Sequence, residues 1–265
     1  MTVRSKAAMV VGEFLGTAIL STAVINVARS QIGISYFVAF SVSITLAVLV
    51  LIFGYTTGAH FNPAVTIGQW TIRKIKTLQA IAYIAAQLLG GFAAWRLAEY
   101  FTSQPLTNIA GKTFDWKVAV AEMIGTAVFT FGIASALYQR YENGRLAATV
   151  GASLFVGTVI ASLASNAILN PAIAIANQSI SRAYIFGPII GSVVGMNLYA
   201  MLFAPTRTLL ATATPDADSE VEDVPAVRTS SRSTAAKRPA TTTRKKATTT
   251  RKKPTTTTTR RRTTR

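Results

Sequence analysis

Six stretches of the chain are apolar for about twenty residues at a time: 7–28, 36–54, 78–98, 117–138, 146–165 and 184–204. At about 1.5 Å per residue, a helix over any of them crosses a hydrocarbon core of about 30 Å. Two shorter apolar segments lie between the second and third stretches and between the fifth and sixth. Each opens on the same tripeptide, Asn62-Pro63-Ala64 and Asn170-Pro171-Ala172. Asn is a favoured N-cap and Pro fits the first helical position, so both segments read as helices starting there. About nine residues follow before the polar runs 71–76 and 177–182. Such a helix is on the order of 14 Å long, roughly half a membrane core. The pattern predicts an all-α membrane protein with six transmembrane helices and two re-entrant half-helices.

The six stretches fall into two halves, about 7–100 and 117–204. Glu13-x-x-Gly16-Thr17 in the first stretch matches Glu122-x-x-Gly125-Thr126 in the fourth, and the Asn-Pro-Ala tripeptides follow 49 and 48 residues later. Three spans per half is an odd number, so the second half lies inverted in the membrane relative to the first. The half-helices then enter from opposite sides and their N-termini meet near the midplane. The first stretch is longer than the apolar part of a signal peptide and precedes no soluble domain, so it reads as a span.

Charge divides the chain again. Up to residue 205 there are twelve Lys/Arg against five Asp/Glu, and beyond it fifteen against five. Residues 1–205 therefore read as an apolar membrane body. Residues 206–265 read as a disordered tail, in which the acidic patch Asp216, Asp218, Glu220, Glu222 and Asp223 leads into Thr-Thr-Thr-Arg-Lys-Lys repeats and Arg260-Arg261-Arg262. In the loops, Arg4, Lys6, Arg73, Lys74, Lys76, Arg140 and Arg145 fall on the side of the tail. Arg29, Lys112, Lys117 and Arg182 fall on the other. The balance predicts a multi-pass protein of the cell membrane with both termini cytoplasmic. With no Cys and a single His60, no disulfide framework and no metal site is expected, and no cofactor motif appears. No nucleophile–base pair or phosphate loop points to an enzyme.

These motifs resemble the aquaporin, or major intrinsic protein, family. The resemblance rests on Gly58-Ala59-His60-Phe61-Asn62-Pro63-Ala64-Val65-Thr66, Asn170-Pro171-Ala172, the two Glu-x-x-Gly-Thr copies, Tyr83-x-x-Ala86-Gln87-x-x-Gly90 and Gly187-Pro188-x-x-Gly191, and it covers about residues 7–204. It implies a right-handed six-helix bundle, one pore per subunit and usually a homotetramer. It also implies that Glu13 and Glu122 accept hydrogen bonds from the re-entrant loops; the residues alone leave a proton relay open. In most members an Arg directly follows the second Asn-Pro-Ala and forms a narrow outer filter with three other residues. Here that position is Ile173, and the family's spacing puts the others at Val42, Thr158 and Ala167, with Gly157 or Val159 reached by a one-residue shift. Arg182, nine residues on, either turns back into the mouth or anchors at the interface.

A pore also follows from the residues themselves. Opposed helix N-termini repel cations. Asn62 and Asn170 can cap with the side-chain oxygen and leave an NH2 donor for the lumen, where a water accepting from both points its hydrogens outward and breaks a proton wire. The non-helical backbone of Gly58, Ala59, His60 and Phe61, and of Asn166, Ile168 and Leu169, is tolerated at membrane depth only against protein or water, so it is expected to line the lumen. The His60 imidazole is expected to be a packed structural group.

The leading expectation is thus a passive channel for water and small uncharged solutes such as glycerol, ammonia, urea or hydrogen peroxide. A secondary transporter on the same inverted repeat, or a membrane anchor for a polyanion-binding tail, are the other classes. The tail itself has three readings: an extension without specific function, a tether to anionic lipid, or a binder of nucleic acid.

Overall fold

The computed structural model describes residues 3–30, 35–111 and 113–204. The tail, with its acidic patch and basic repeats, and Lys112 lie outside the described residues. Six long helices run through the apolar stretches: α1 (Val3–Ala28), α2 (Ser35–Thr57), α4 (Thr77–Thr102), α5 (Trp116–Tyr138), α6 (Asn143–Ala161) and α8 (Arg182–Phe203). Each is long and apolar enough to cross a membrane. Between them lie two short helices, α3 (Pro63–Thr71) and α7 (Pro171–Ala176). The first has the nine residues the sequence predicts and the second only six, and α6 stops at Ala161, four residues before the end of its apolar stretch.

Helix ends explain these lengths. Past α3, Arg73 adopts a left-handed φ of 59°, its N–H donates to Trp70 O, and the Lys74 N–H donates to Gln69 O. Past α7, Gln178 has a φ of 53°, donating to Ile175 O while Ser179 donates to Ala174 O. Both are the paired closures that stop a helix and satisfy its last carbonyls, made here without the usual glycine.

The bundle is held by close helix contact, since lipid offers no hydrophobic drive between spans. Gly191 of α8 sits against the Met123 carbonyl of α5, so closely that a Cβ there would overlap the oxygen. Gly90 of α4 stands in the same way against the Phe14 carbonyl of α1, where a Cβ would lie 2.6 Å away. Several hydroxyls inside the spans bond back to their own helix, as Thr126 does to Glu122 O (2.7 Å) and Thr130 to Thr126 O (2.8 Å). The outer surface is apolar, with Ile44, Leu51, Ile81, Leu89 and Ile190 exposed. That is the surface a bilayer requires.

Candidate functional site

The two half-helices begin against each other in the interior. Asn62 caps α3, its Oδ1 accepting from the Ala64 N–H (2.8 Å), and Asn170 caps α7, accepting from Ala172 N–H (2.9 Å) and, at 3.5 Å, Ile173 N–H. Pro63 and Pro171 hold the first helical positions, and Ala64 and Ala172 are fully buried. The amide nitrogens reach across the repeat: Asn62 Nδ2 donates to Leu169 O and Asn170 Nδ2 donates to Phe61 O, each at 2.9 Å. This alters the expectation of a wholly free NH2. One of its two hydrogens braces the opposite loop, and one remains for the lumen.

The loops before the caps are extended backbone with alternating left-handed residues, Ala59 (φ 52°) and Phe61 (45°) in one, Ala167 (49°) and Leu169 (52°) in the other, and Gly58 at 85°. Such strained segments persist only where something fixes them. Here the fixing groups are carboxylates. Glu13 Oε1 accepts from His60 N–H (3.0 Å) and Oε2 from Phe61 N–H (2.8 Å) and the Gln87 amide (2.7 Å). Glu122 Oε1 accepts from Ile168 N–H (2.9 Å) and Ser165 hydroxyl (2.7 Å), and Oε2 from Leu169 N–H (2.7 Å). Both carboxylates are fully buried. The Asn166 N–H is held by the Tyr184 hydroxyl (3.0 Å), and the Tyr83 hydroxyl donates to Thr57 O (2.7 Å) before the other loop. His60 Nδ1 lies 3.1 Å from Thr66 Oγ1, and the ring stands edge-on to Tyr83, so the imidazole is packed and bonded.

From the two Asn caps a cavity of about 290 Å³ opens toward the ends of α1 and α7. Val42, Thr158, Ala167 and Ile173 all line it, as do His60, Asn166, Ile168 and Leu169. Of the three residues the spacing allowed on α6, Thr158 is the one that reaches it: Val159 is not among the lining, and Gly157 packs instead on Gly125, where a Cβ would overlap the Gly125 carbonyl. Among the described residues, no Asp, Glu, Lys or Arg lines it. Gly58, Ala59 and Phe61 are not among them either. Arg182 starts α8, exposed and away from the cavity. The cation that bonds to the cavity's lining here is Arg29, which sequence reasoning assigned only to a loop. Its guanidinium donates to Asn177 O (3.2 Å), Asn177 Oδ1 (3.4 Å) and Thr107 O (3.1 Å). It thereby ties the end of α1 to the last turn of α7 and to the α4–α5 connection. The capping residue Asn177 also lines the cavity mouth.

A family model described as Major intrinsic protein matches residues 2–199. The chain belongs to the major intrinsic protein family. It is similar to Aquaporin Z of Photorhabdus laumondii, 30% identical over 72% of this chain and 96% of that protein. It is also similar to Aquaporin NIP1-1 of Oryza sativa subsp. japonica (33% identical, 73% of each chain) and to the lens fiber major intrinsic protein of Rattus norvegicus (34% identical, 63% of this chain and 69% of that one). Among solved structures, the aquaglyceroporin from Plasmodium falciparum superposes with a TM-score of 0.65 at 20% identity, over 77% of this chain and 99% of that chain. That likeness shows the fold. As a major intrinsic protein the chain is a membrane channel and not an enzyme. What passes through it is a question for the residues of its own cavity.

Proposed function

We propose that the channel passes water together with small uncharged solutes of the size of glycerol, urea, ammonia or hydrogen peroxide, and that it excludes ions and protons at Asn62 and Asn170. The observation carrying this is the set of four filter positions in the cavity wall: Val42, Thr158, Ala167 and Ile173 offer one hydroxyl and no fixed charge or aromatic ring among them, the rings of the wall being those of His60 and Phe129. A filter of this composition is wider and less polar than one narrowed by a guanidinium, and it admits solutes that shed water against apolar side chains. At the inner end, each Asn keeps one amide hydrogen for a passing water, and both half-helices present their positive ends there. Glu13 and Glu122 bond to backbone N–H groups and do not line the cavity. They serve as loop supports, which weighs against an energised transporter.

Lys6, Arg73, Lys74 and Lys76 gather at one end of the bundle, where Lys74 also lies over the Tyr138 ring. This end is taken as cytoplasmic by the excess of Lys/Arg, and with it both termini of a multi-pass protein of the cell membrane. The assembly is taken as a homotetramer of such pores, and the basic tail as an attachment to anionic lipid or nucleic acid; cross-linking in native membranes and salt-dependent retention test each.

The decisive test of the pore is stopped-flow light scattering of reconstituted vesicles under water, glycerol and urea gradients. Wild type is expected to pass all three above the protein-free rate. Ile173→Arg is expected to lower glycerol and urea flux at least tenfold while water flux falls far less. Fast water flux with glycerol at background in the wild type would overturn the wide-filter reading.

A further inference from the structure

At the end of the bundle opposite the Arg29 tie, an open cleft of about 1320 Å³ lies between the start of α1, the end of α3 and the start of α4. Four cationic side chains line it, Lys6, Arg73, Lys74 and Lys76, and no acidic residue lines it among the described residues. Desolvation, and then the nearby Arg140 guanidinium, hold the Lys74 ammonium below the usual lysine range. An anion beside Lys74 would relieve both. Lys76 caps α4 without a side-chain hydrogen bond, and the first turn of that helix holds no acidic residue. The positive end of a 26-residue helix thus stands at the cleft uncompensated.

The cleft also has an apolar side. Trp70 and Leu78 line it and are 46% and 80% exposed, and the Trp70 indole is fixed by its bond to Thr77 Oγ1 (3.0 Å). One turn of α4 further along, Ile81 is exposed as well. The cleft lies at the ends of two spans, which is the level where headgroups give way to acyl chains. A soluble polyanion meets the four cations equally well but makes nothing of the apolar flank.

We propose that this cleft binds an anionic phospholipid, its phosphate held among Lys6, Arg73, Lys74 and Lys76 and its acyl chains laid along Trp70 and Leu78. The site is independent of the pore, since none of these residues lines the cavity at the Asn caps. Cationic side chains near a membrane surface each strengthen binding of anionic lipid about fivefold.

The test uses full-length protein in neutral detergent, with bound lipid counted by native mass spectrometry. Short-chain phosphatidylglycerol is expected to bind at least tenfold more tightly than phosphatidylcholine of equal chain length. The Lys6→Gln/Lys76→Gln variant should lose about 25-fold of that affinity, at about fivefold per cation, while keeping wild-type melting temperature and water permeability. Arg261→Gln/Arg262→Gln, which removes the same charge from the tail, should lose less than threefold. Leu78→Ser, at an exposed position that folding does not depend on, should weaken phosphatidylglycerol several-fold. Equal losses in the two charge variants, or no preference over phosphatidylcholine, would overturn the site. So would competition at equimolar concentration by glycerol 3-phosphate, which carries the headgroup chemistry without chains, or by a short DNA duplex.

Discussion

Replacing Glu122 by Gln removes a charge but almost no volume, so it isolates what the carboxylate does. Its two oxygens accept from Ile168 N–H, Leu169 N–H and the Ser165 hydroxyl, all within 2.9 Å, the two backbone bonds buried and the Ser165 bond part-buried. Gln offers one acceptor oxygen, and its NH2 faces a donor. One charge-assisted bond, worth about 1.5–3 kcal/mol, is lost, and a buried N–H is left facing another donor at a further cost of about 1–3 kcal/mol. A net destabilisation of about 3 kcal/mol follows after relaxation, or about 6–12 °C in melting temperature at 2–4 °C per kcal/mol for a body of this size. The loss also reaches the pore, because the Leu169 carbonyl accepts the Asn62 amide. The assay is thermal unfolding in detergent paired with vesicle flux. Ser165→Ala, which spares the backbone contacts to Glu122, should shift melting by no more than about a third as much. Glu13→Gln should match Glu122→Gln, and the double variant should fall short of the sum, since the two loops brace each other through the Asn amides. Melting within about 1 °C of wild type, with flux that has lost its response to pH, would refute the support role and restore the proton relay.

Arg29→Gln should lower melting temperature by a few degrees, about 1–2 kcal/mol for three half-exposed bonds to neutral acceptors, and should raise hydrogen exchange at 175–179 without changing exchange at Asn62. Gly191→Val should abolish a monodisperse preparation, because the added Cβ meets backbone at Met123 that cannot yield. Gly144→Ala, where nothing lies within 4 Å of the added methyl, should instead raise melting by about 2 °C through helix propensity.

Much of this site is legible in the chain because its parts obey local rules. Asn followed by Pro caps a helix wherever it occurs, and a Glu in the middle of an apolar run needs donors, so Asn62, Asn170, Glu13 and Glu122 announce themselves. The internal repeat then supplies the partner of each, as the matched bonds of Glu13 to His60 and Phe61 and of Glu122 to Ile168 and Leu169 show. The features that escape a reading of the chain are those made by docking or by unusual backbone. Arg73 and Gln178 close their helices in the left-handed region, where glycine is the usual signal, and without it the six-residue length of α7 has no mark in the sequence. Arg29 belongs to no motif, and only the approach of Asn177 and Thr107 across 148 and 78 residues turns a loop cation into a tie at the cavity mouth.

The same distinction bears on selectivity. A guanidinium directly after the second Asn-Pro-Ala would stand inside the cavity, charged and hydrogen-bonding to whatever passes. In this chain the position is Ile173, 4% exposed, and Arg29 is committed to the Asn177 amide oxygen and to the Asn177 and Thr107 backbone carbonyls. Arg29 therefore stiffens the mouth without presenting its charge to solutes in the filter. Rigidity and narrowness, joined in one residue where an Arg occupies the filter, are separated here, so an aperture can be wide and still well defined. It follows that Arg29→Gln and Ile173→Arg act on different quantities. The first should broaden the range of permeating solutes by loosening the rim, and the second should narrow it by filling the lumen. If the two variants shift the glycerol-to-water ratio in the same direction, that separation is wrong.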